Sequence, residues 1–512
     1  MLSKIHTAGL FGIEGFDVCV ETDIVNGMVA FELVGLPDAA VKEAKERVKS
    51  AIRNTGFSFP SKRIIMNMTP ANKRKEGSGY DLPVAVSLLC ASEQISVLVS
   101  DRTVFIGELS LDGSINPVNG VLPMVITAYQ NGFTKAFVPK ENANEAAVVE
   151  GMEIYPVATL KDVTDHFLGA KVIEAHTVDV SEFLQSGANT IMDFSEVKGN
   201  VAVKRALEIA AAGNHNVLLI GSPGTGKTML AQRMNTILPD MTFSEALEVT
   251  KIHSIAGMLE SGDALVTKRP FRNPHHTISN AGLSGGGSTP KPGELSLAHN
   301  GILFFDELPE FKRDVLEVLR QPLEDGKVTI SRVNATLTYP CNIMFVASMN
   351  PCKCGYYGDP NHKCTCSQSD ISRYLSKISG PLLDRIDIQI EVPAVRYDDL
   401  SAKGEEESSA QIKERVNETR RLQQQRYKDE NITSNAQLSA GQIEKYCNIS
   451  DEANVILRGA FEKLGMSPRG RARILKVART IADLEKCDRI EASHIAEAIQ
   501  YRSLDRYGTS EG

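Results

Sequence analysis

The octapeptide Gly221-Ser222-Pro223-Gly224-Thr225-Gly226-Lys227-Thr228 sets the strongest limit on how this chain can fold. It follows the apolar run Val217 to Ile220 and precedes a segment with helical spacing, Met229 to Leu238, so the local order is strand, phosphate loop, helix. Glycines let successive backbone N–H groups turn inward around phosphate oxygens, and the positive end of the following helix adds attraction for an anion. Lys227 is expected to reach the β and γ phosphates, and the Thr228 hydroxyl to ligate Mg2+. The expected ligand is ATP or GTP.

A second element points to hydrolysis. Gly301 to Phe305 is a buried-type apolar strand that ends in two adjacent carboxylates, Asp306 and Glu307. Asp306 is expected to hold the metal through a water, and Glu307 to polarise the attacking water. A strand capped by solvated acids is the alternative; its place downstream of a phosphate loop weighs against it. The strand Ile343 to Ala347 leads to Asn350, an amide suited to orienting the lytic water and sensing the γ phosphate. Taken alone, Asn350 also fits an ordinary turn.

A length of 512 residues implies several domains, each with its own core. The net charge of −8 excludes a wholly basic nucleic-acid coat, so any contact with DNA or RNA must be local, through basic loops. No run of about eighteen apolar residues occurs, and Met1 to His6 lacks the apolar stretch of a signal peptide, which predicts a cytoplasmic protein with no membrane span. Nine cysteines, four of them clustered, fit a reducing compartment better than a disulfide framework. Cys19, Cys90, Cys341, Cys447 and Cys487 lie in apolar or helical stretches and are expected to be inert core thiols.

The pattern is α/β and multidomain. Residues 1–170 mix strand and helix periods as an α+β domain, 171–192 form a linker, 193–396 alternate strands and helices around a mostly parallel sheet, and 397–512 are helical. The acidic run Lys403 to Ser409 separates the last two regions, and helices are predicted over 410–427, 451–464, 471–486 and 492–503. A helix is also predicted over 309–323, and a hairpin over 327–338 with Asn334 in its turn. In the insert at 352–366, Cys352, Cys354, Cys364 and Cys366 form two CxC units. They are expected to staple the loop around a structural Zn2+, with free or redox-active thiols as the open alternative and His362 as a substitute ligand.

The order of phosphate loop, Asp-Glu strand, hairpin, polar strand tip and Leu382-Leu383-Asp384-Arg385-Ile386-Asp387 resembles an AAA+ ATPase of the magnesium-chelatase-like branch, which also holds the replicative minichromosome-maintenance helicases. That resemblance implies that Arg385 is an arginine finger reaching a neighbouring subunit's nucleotide, a structural ion pair being the alternative. More specific phrases, among them Ala211-Ala212-Gly213-Asn214-His215-Asn216, Phe271 to Ser279, Pro292 to Gly301 and Leu475 to Leu484, resemble the ComM/YifB family of competence-associated ATPases. In that pattern Arg469 matches the second sensor arginine that closes an all-helical lid onto the γ phosphate, with Arg471 and Arg473 as neighbouring choices.

Residues Lys75 to Pro83 and Phe105 to Ile115 resemble the proteolytic domain of the Lon family, a ribosomal S5 type 2-like fold. At the positions of the family's serine and lysine stand Gly79 and Leu122, which cannot perform the chemistry; Ser78 is one residue away. The domain is expected to be a ring-building or DNA-contacting platform, helped by the basic loop Asn72 to Lys75.

The family likeness implies a hexameric, ATP-dependent DNA motor, a branch migration helicase for incoming DNA during natural transformation. Two other readings stay open: a motor subunit of a chelatase inserting Mg2+ into a porphyrin, and a nucleotide-switched scaffold or clamp. Basic residues for a DNA path are Lys327 and Arg332 in the hairpin, and Arg269 and Arg272 beside Lys268, His275 and His276; solvated loop charges are the alternative. Adjacent histidines on a helix or strand point apart, so no metal site is expected at His275 and His276.

Overall fold

The computed structural model describes residues 2–97, 102–180, 192–260, 262–287, 290–332, 335–394, 406–464 and 466–502. The expected turn residue Asn334, linker residues 181–191, separator residues 403–405 and the helix end Ser503 lie outside them. The chain divides into two compact units, the first made of Met1–Gly187, Phe243–Thr267 and Val333–Leu337, the second of Ala188–Thr242, Lys268–Arg332 and Thr338–Gly512.

The first unit is built on a seven-stranded mixed sheet, in the order Ala30–Val34, Arg63–Thr69, Glu14–Val25, Leu2–Phe11, Thr103–Phe105, Lys135–Pro139, Glu153–Val157. Strict alternation along Glu14–Val25 places Phe16, Val18, Val20 and Thr22 on the buried face. The helix Ala39–Asn54 buries Val41, Ala44, Val48 and Ile52, a stripe at helical spacing. The next helix, Asp81–Ala91, is anchored by the fully buried Asp81, which takes two hydrogen bonds from Arg47, at 2.7 and 3.0 Å, and one from the Leu109 N–H.

Phe243–Thr267 belongs to this first unit although the sequence places it inside the nucleotide core. The Gly120 N–H donates to the Ser254 carbonyl at 3.1 Å, the Ser254 hydroxyl to Glu145 at 2.7 Å, and Ala264 and Leu265 pack with Leu122 and Val148. Leu122, at the Lon lysine position, is thus core packing, and a Cβ on Gly79 would stand 3.0 Å from Val118. The Ser78 hydroxyl is tied to Glu108. Lys75, expected in an exposed basic loop, is instead fully buried: its ammonium donates to the carbonyls of Pro70 and Lys73, because an unpaired charge could not be taken from water without such acceptors. Asn72, Lys73 and Arg74 remain exposed.

The second unit carries a parallel five-stranded sheet in the order Phe271–Arg272, Ile302–Phe305, Met344–Met349, Val217–Ile220, Ile388–Glu391. One apolar core runs from Phe194 through this sheet to the helices Pro468–Leu484 and Ala492–Gln500. The helical region begins with Ser409–Arg426, capped by Ser408, and continues through Asp451–Leu464. The predicted 471–486 helix starts earlier, at Pro468, with Ser467 as its cap. The single helix expected over 309–323 is broken into Leu308–Glu310, Arg313–Val318 and Pro322–Asp325. Phe311 turns extended there to stack its ring on Phe305 at 4.1 Å, and Pro322 opens a new turn. No helix among the described residues is long and apolar enough to cross a membrane.

A buried carboxylate locks the helices together. Asp483 accepts from Arg426 at 2.9 and 2.6 Å, from Arg479 at 3.1 Å and from Asn435 at 2.8 Å. Asp483→Ala takes the carboxylate from both guanidiniums, leaving the buried Arg479 only the carbonyls of Cys487 and Asp488, and is expected to cost about 3–5 kcal/mol in urea denaturation. Lys171→Ala, which breaks an exposed pair with Asp162, is expected to cost less than about 1 kcal/mol.

Candidate active site

Parallel strands deliver their C-terminal ends to one edge of a sheet, and that edge gathers the predicted nucleotide residues. Ile220 pairs with Met349, and Phe305 with Ala347, so Gly221, Asp306 and Asn350 follow adjacent strand ends. Gly221 is required by crowding: a Cβ there would lie 2.5 Å from the Val392 carbonyl oxygen. Gly224 and Gly226 turn the loop with φ of 81° and 84° before the helix Lys227–Met234 begins.

The Lys227 ammonium donates to the carbonyls of Gly221 at 2.7 Å and Ser222 at 2.9 Å, and to Asn350 Oδ1 at 3.2 Å. Burial lowers its pKa against the pull of Asp306 and Glu307, so an arriving phosphate would replace weak neutral acceptors with a charged one. Thr228 Oγ1 donates to Asp306 Oδ2 at 2.9 Å. A hydroxyl and a carboxylate held together in this way fit the oxygen donors that Mg2+ takes.

Ser348, which the sequence reading passed over, links the two carboxylate positions. Its hydroxyl donates to Asp306 Oδ1 and accepts the Glu307 N–H at 3.2 Å. Glu307 sits in the left-handed region, with φ 55° and ψ 54°, and that turn takes it off the strand axis. The available signal was a lone hydroxyl in the otherwise apolar strand Met344–Met349.

Arg385 and Arg469 occupy a separate cleft of roughly 630 Å3, lined also by Asp384, Arg473 and Lys476 and by no residue of the phosphate loop. The Arg385 guanidinium donates to the Pro381 carbonyl at 2.7 Å and pairs with Glu324. Arg469, expected to close the lid onto the γ phosphate, lies in the first turn of the helix Pro468–Leu484 and lines the same cleft as the arginine box. Arg471 is exposed, whereas Arg473 is buried at 3.2 Å from Asp384, its pKa lowered by burial and by Arg502.

Two basic candidates for a DNA path are already engaged. Arg269 donates to the carbonyls of Pro239, Asn300 and Asp240, at 2.6, 2.7 and 3.2 Å. Arg272 forms a two-pronged pair with Glu294 at 2.6 and 2.8 Å. Charge in the sequence read as available, but both guanidiniums serve as struts. Lys327 opens the hairpin strand Lys327–Arg332 and is exposed; the Arg332 side chain lies outside the described residues. His275 and His276 sit in a turn with their rings 4.1 Å apart, not pointing away from each other as a helix or strand would place them.

The sulfurs of Cys352, Cys354, Cys364 and Cys366 all lie within 4.8 Å of one another, with three separations of 3.3, 3.7 and 3.5 Å. A tetrahedral site with Zn–S bonds of about 2.3 Å has sulfurs about 3.8 Å apart, so the donor set fits that ion. Backbone hydrogen bonds from Thr365 and Tyr356 pull the Cys354 thiol down to about 5, while Cys364 is pushed up to about 12 and Cys366 is raised, where the Cys354 and Cys352 sulfurs outweigh backbone hydrogen bonds, so the four thiols share their charge as one cluster. His362 is turned away, its side chain 62% exposed. Of the remaining cysteines, burial pushes Cys19 and Cys90 up to about 11 and Cys341 and Cys447 up to about 12, which suppresses thiolate chemistry.

Comparison with known proteins matches three stretches to family models. Residues 193–400 match magnesium chelatase, subunit ChlI; 20–142 match subunit ChlI of Mg-chelatase; and 406–502 match the subunit ChlI C-terminal family. The chain is 43% identical over 508 residues to competence protein ComM of Haemophilus influenzae, covering 99% of this chain and 98% of that protein. It is likewise 43% identical over 510 residues to the uncharacterized protein YifB of Escherichia coli, covering 99% and 98%. Lon protease 2 of Bacillus subtilis shares 28% identity over 152 residues, 28% of this chain and 27% of that protein, a likeness carried by the N-terminal region. With matches along nearly its whole length, the chain belongs to the ComM/YifB family of magnesium-chelatase-like AAA+ ATPases.

Proposed function

We propose that the protein is an ATP-driven ring motor, a hexamer, that moves along or remodels DNA, with branch migration during recombination of incoming DNA as its task. The observation that carries this reading is the division of the machinery. Lys227, Thr228, Asp306, Glu307 and Asn350 share one sheet edge, while Arg385 and Arg469 share a cleft that contains none of them. A complete site then needs the arginines of one protomer against the phosphate loop of the next, which is the geometry of a closed ring.

In this reading the loop N–H groups and Lys227 grip the phosphates, and Thr228 and Asp306 would hold the Mg2+ that would offset their charge. Glu307 takes up a proton from the attacking water, and Asn350 fixes that water's direction. The guanidiniums arriving from the neighbour meet charge that builds up in the transition state, and hydrolysis is thereby tied to the ring interface. A Zn2+ ion on the four cysteines holds the insert. The relative named as a competence protein supports DNA as the material moved, and the exposed Lys327 at the hairpin suits a phosphate backbone read without regard to sequence.

Glu307→Gln is expected to retain ATP affinity within about threefold while lowering kcat by at least about a hundredfold, measured by nucleotide titration and phosphate release. Unchanged turnover would refute the assignment of the base. Arg385→Ala and Lys227→Ala are each expected to abolish hydrolysis, and mixing the two proteins to restore part of it, since some interfaces then pair an intact loop with an intact arginine. Mixed rings, verified by native mass spectrometry, that recover no activity would exclude the shared site. Forked, four-way and single-stranded DNAs should raise turnover and show strand displacement; a clamp would bind them without displacement, and a chelatase subunit would answer to a porphyrin instead.

A further inference from the structure

Residues 351–367 contain no helix or strand, yet they run beside the phosphate loop at two points. Gly355 is buried, with φ 91°, and a Cβ on it would stand 2.7 Å from Pro223 Cδ and 2.8 Å from Pro223 Cγ. Its backbone therefore lies flat against the proline of the loop that is to wrap the phosphates. The second point is Asp359: its side chain is 5% exposed, the neighbouring Ser222 side chain holds its carboxyl below the usual carboxylate range, and its carboxylate accepts the N–H groups of Asn361, at 2.8 Å, and His362, at 3.1 Å.

Both ends of the insert are fixed within the same site. It leaves the sheet at Asn350, which accepts from Lys227 at 3.2 Å and lies beside the Tyr374 hydroxyl. It ends at Ser367, the cap of the helix Gln368–Leu375 that carries Tyr374. Between these ends, holding an irregular segment in one conformation costs conformational entropy that its few internal hydrogen bonds do not offset. The fully buried Cys352 and its three partners are what can close it, because four metal–sulfur bonds fix the turns on either side of Gly355 and Asp359 at once.

We propose that a Zn2+ ion on Cys352, Cys354, Cys364 and Cys366 braces the phosphate loop through Gly355 and Asp359, so that nucleotide affinity depends on a metal that does not touch the nucleotide. This rests on the reading of residues 221–228 as the ATP site. Loss of the metal frees the insert, Ser222 and Pro223 lose their support, and the loop must be ordered by the nucleotide itself. Linkage makes the effect reciprocal: whatever factor zinc adds to nucleotide affinity, nucleotide adds to zinc affinity.

The test uses the full-length protein expressed with zinc supplementation. Metal content is read by elemental mass spectrometry, and affinity by titration with a fluorescent ATP analogue in constant Mg2+. The expected results are one zinc per chain, about tenfold or greater weakening of nucleotide binding when a zinc-selective chelator strips the ion, and recovery on adding Zn2+ back. ATP should also tighten zinc against the same chelator by a matching factor. Cys364→Ser risks local unfolding, so Gly355→Ala is the second variant. It leaves every thiol in place and should keep its zinc while weakening nucleotide binding, since the added methyl meets Pro223. Zinc that can be removed with no change in nucleotide affinity overturns the brace, as does wild-type protein that carries no metal. Zinc-loaded protein that fails to bind the analogue at all overturns the nucleotide-site reading instead.

Discussion

Three consecutive residues at the foot of the phosphate-loop strand hold the nucleotide core and the lid in one frame. Asn214 turns out of the helix Val201–Gly213 with φ 59°, and the fully buried His215 then reaches Asp387 through Nδ1 at 3.2 Å and Thr480 through Nε2 at 2.8 Å. Asn216 ties two stretches of chain, at Phe345 and at Arg385 to Ile388. Its side chain accepts the Phe345 N–H at 2.8 Å and donates to the Arg385 carbonyl at 2.7 Å, while its own carbonyl takes the N–H groups of Asp387 and Ile388 at 3.1 and 3.0 Å. Gly213 permits the joint, since a Cβ there would stand 2.3 Å from the imidazole and 2.5 Å from Thr480.

This joint links the foot of the phosphate-loop strand to the strand at Phe345, the segment Arg385 to Ile388 and the helix that carries Thr480. Burial would raise the Asp387 carboxyl, but its hydrogen bond to His215, with Lys476 and Arg473 nearby, holds it below the usual carboxylate range. A stable anion is thus fixed two residues beyond Arg385, with Thr480 of the lid helix on the far side of the ring. Thr480 in turn accepts from Asn435, which donates to Asp483. A displacement of the lid cannot be absorbed by apolar sliding at this point; it has to break directional bonds or carry the arginine box with it. The phrase Ala211 to Asn216 marked the family before its purpose was visible, and this network is its physical content.

What could be read from the chain follows from how local each signal is. The phosphate loop, the Asp-Glu strand tip, Asn350 and the paired cysteines are short stretches whose chemistry depends on neighbours in sequence, and the structure brings each group together. Partners distant in sequence were not legible. Arg269 and Arg272 carry the same charge whether they face solvent or bind carbonyls and a carboxylate across the fold, and the charge of Lys75 does not reveal that it turns inward onto the nearby carbonyls of Pro70 and Lys73. The stretch Phe243–Thr267 was placed with the nucleotide core because it falls inside it in sequence; helical period alone does not say which core a helix joins. Arg469 matched a family position, but which cleft it lines is set by how the helix from Pro468 packs.

Ser348 shows why a single hydroxyl in an apolar strand can matter more than its composition suggests. A left-handed backbone at a residue such as glutamate costs about 1–3 kcal/mol, and it persists only where surrounding bonds outweigh that cost. The Glu307 N–H, turned by that conformation, lands on Ser348 Oγ, and the same hydroxyl donates a hydrogen bond to Asp306. One atom therefore sets two neighbouring carboxylates on different headings, Asp306 toward Thr228 and Glu307 away from the strand axis. Without the turn, alternation along an extended strand would send the two side chains to opposite faces of the sheet, and no arrangement of the phosphate loop could bring both to the same nucleotide. The strain is thus the means by which adjacent residues in sequence become separate parts of one site.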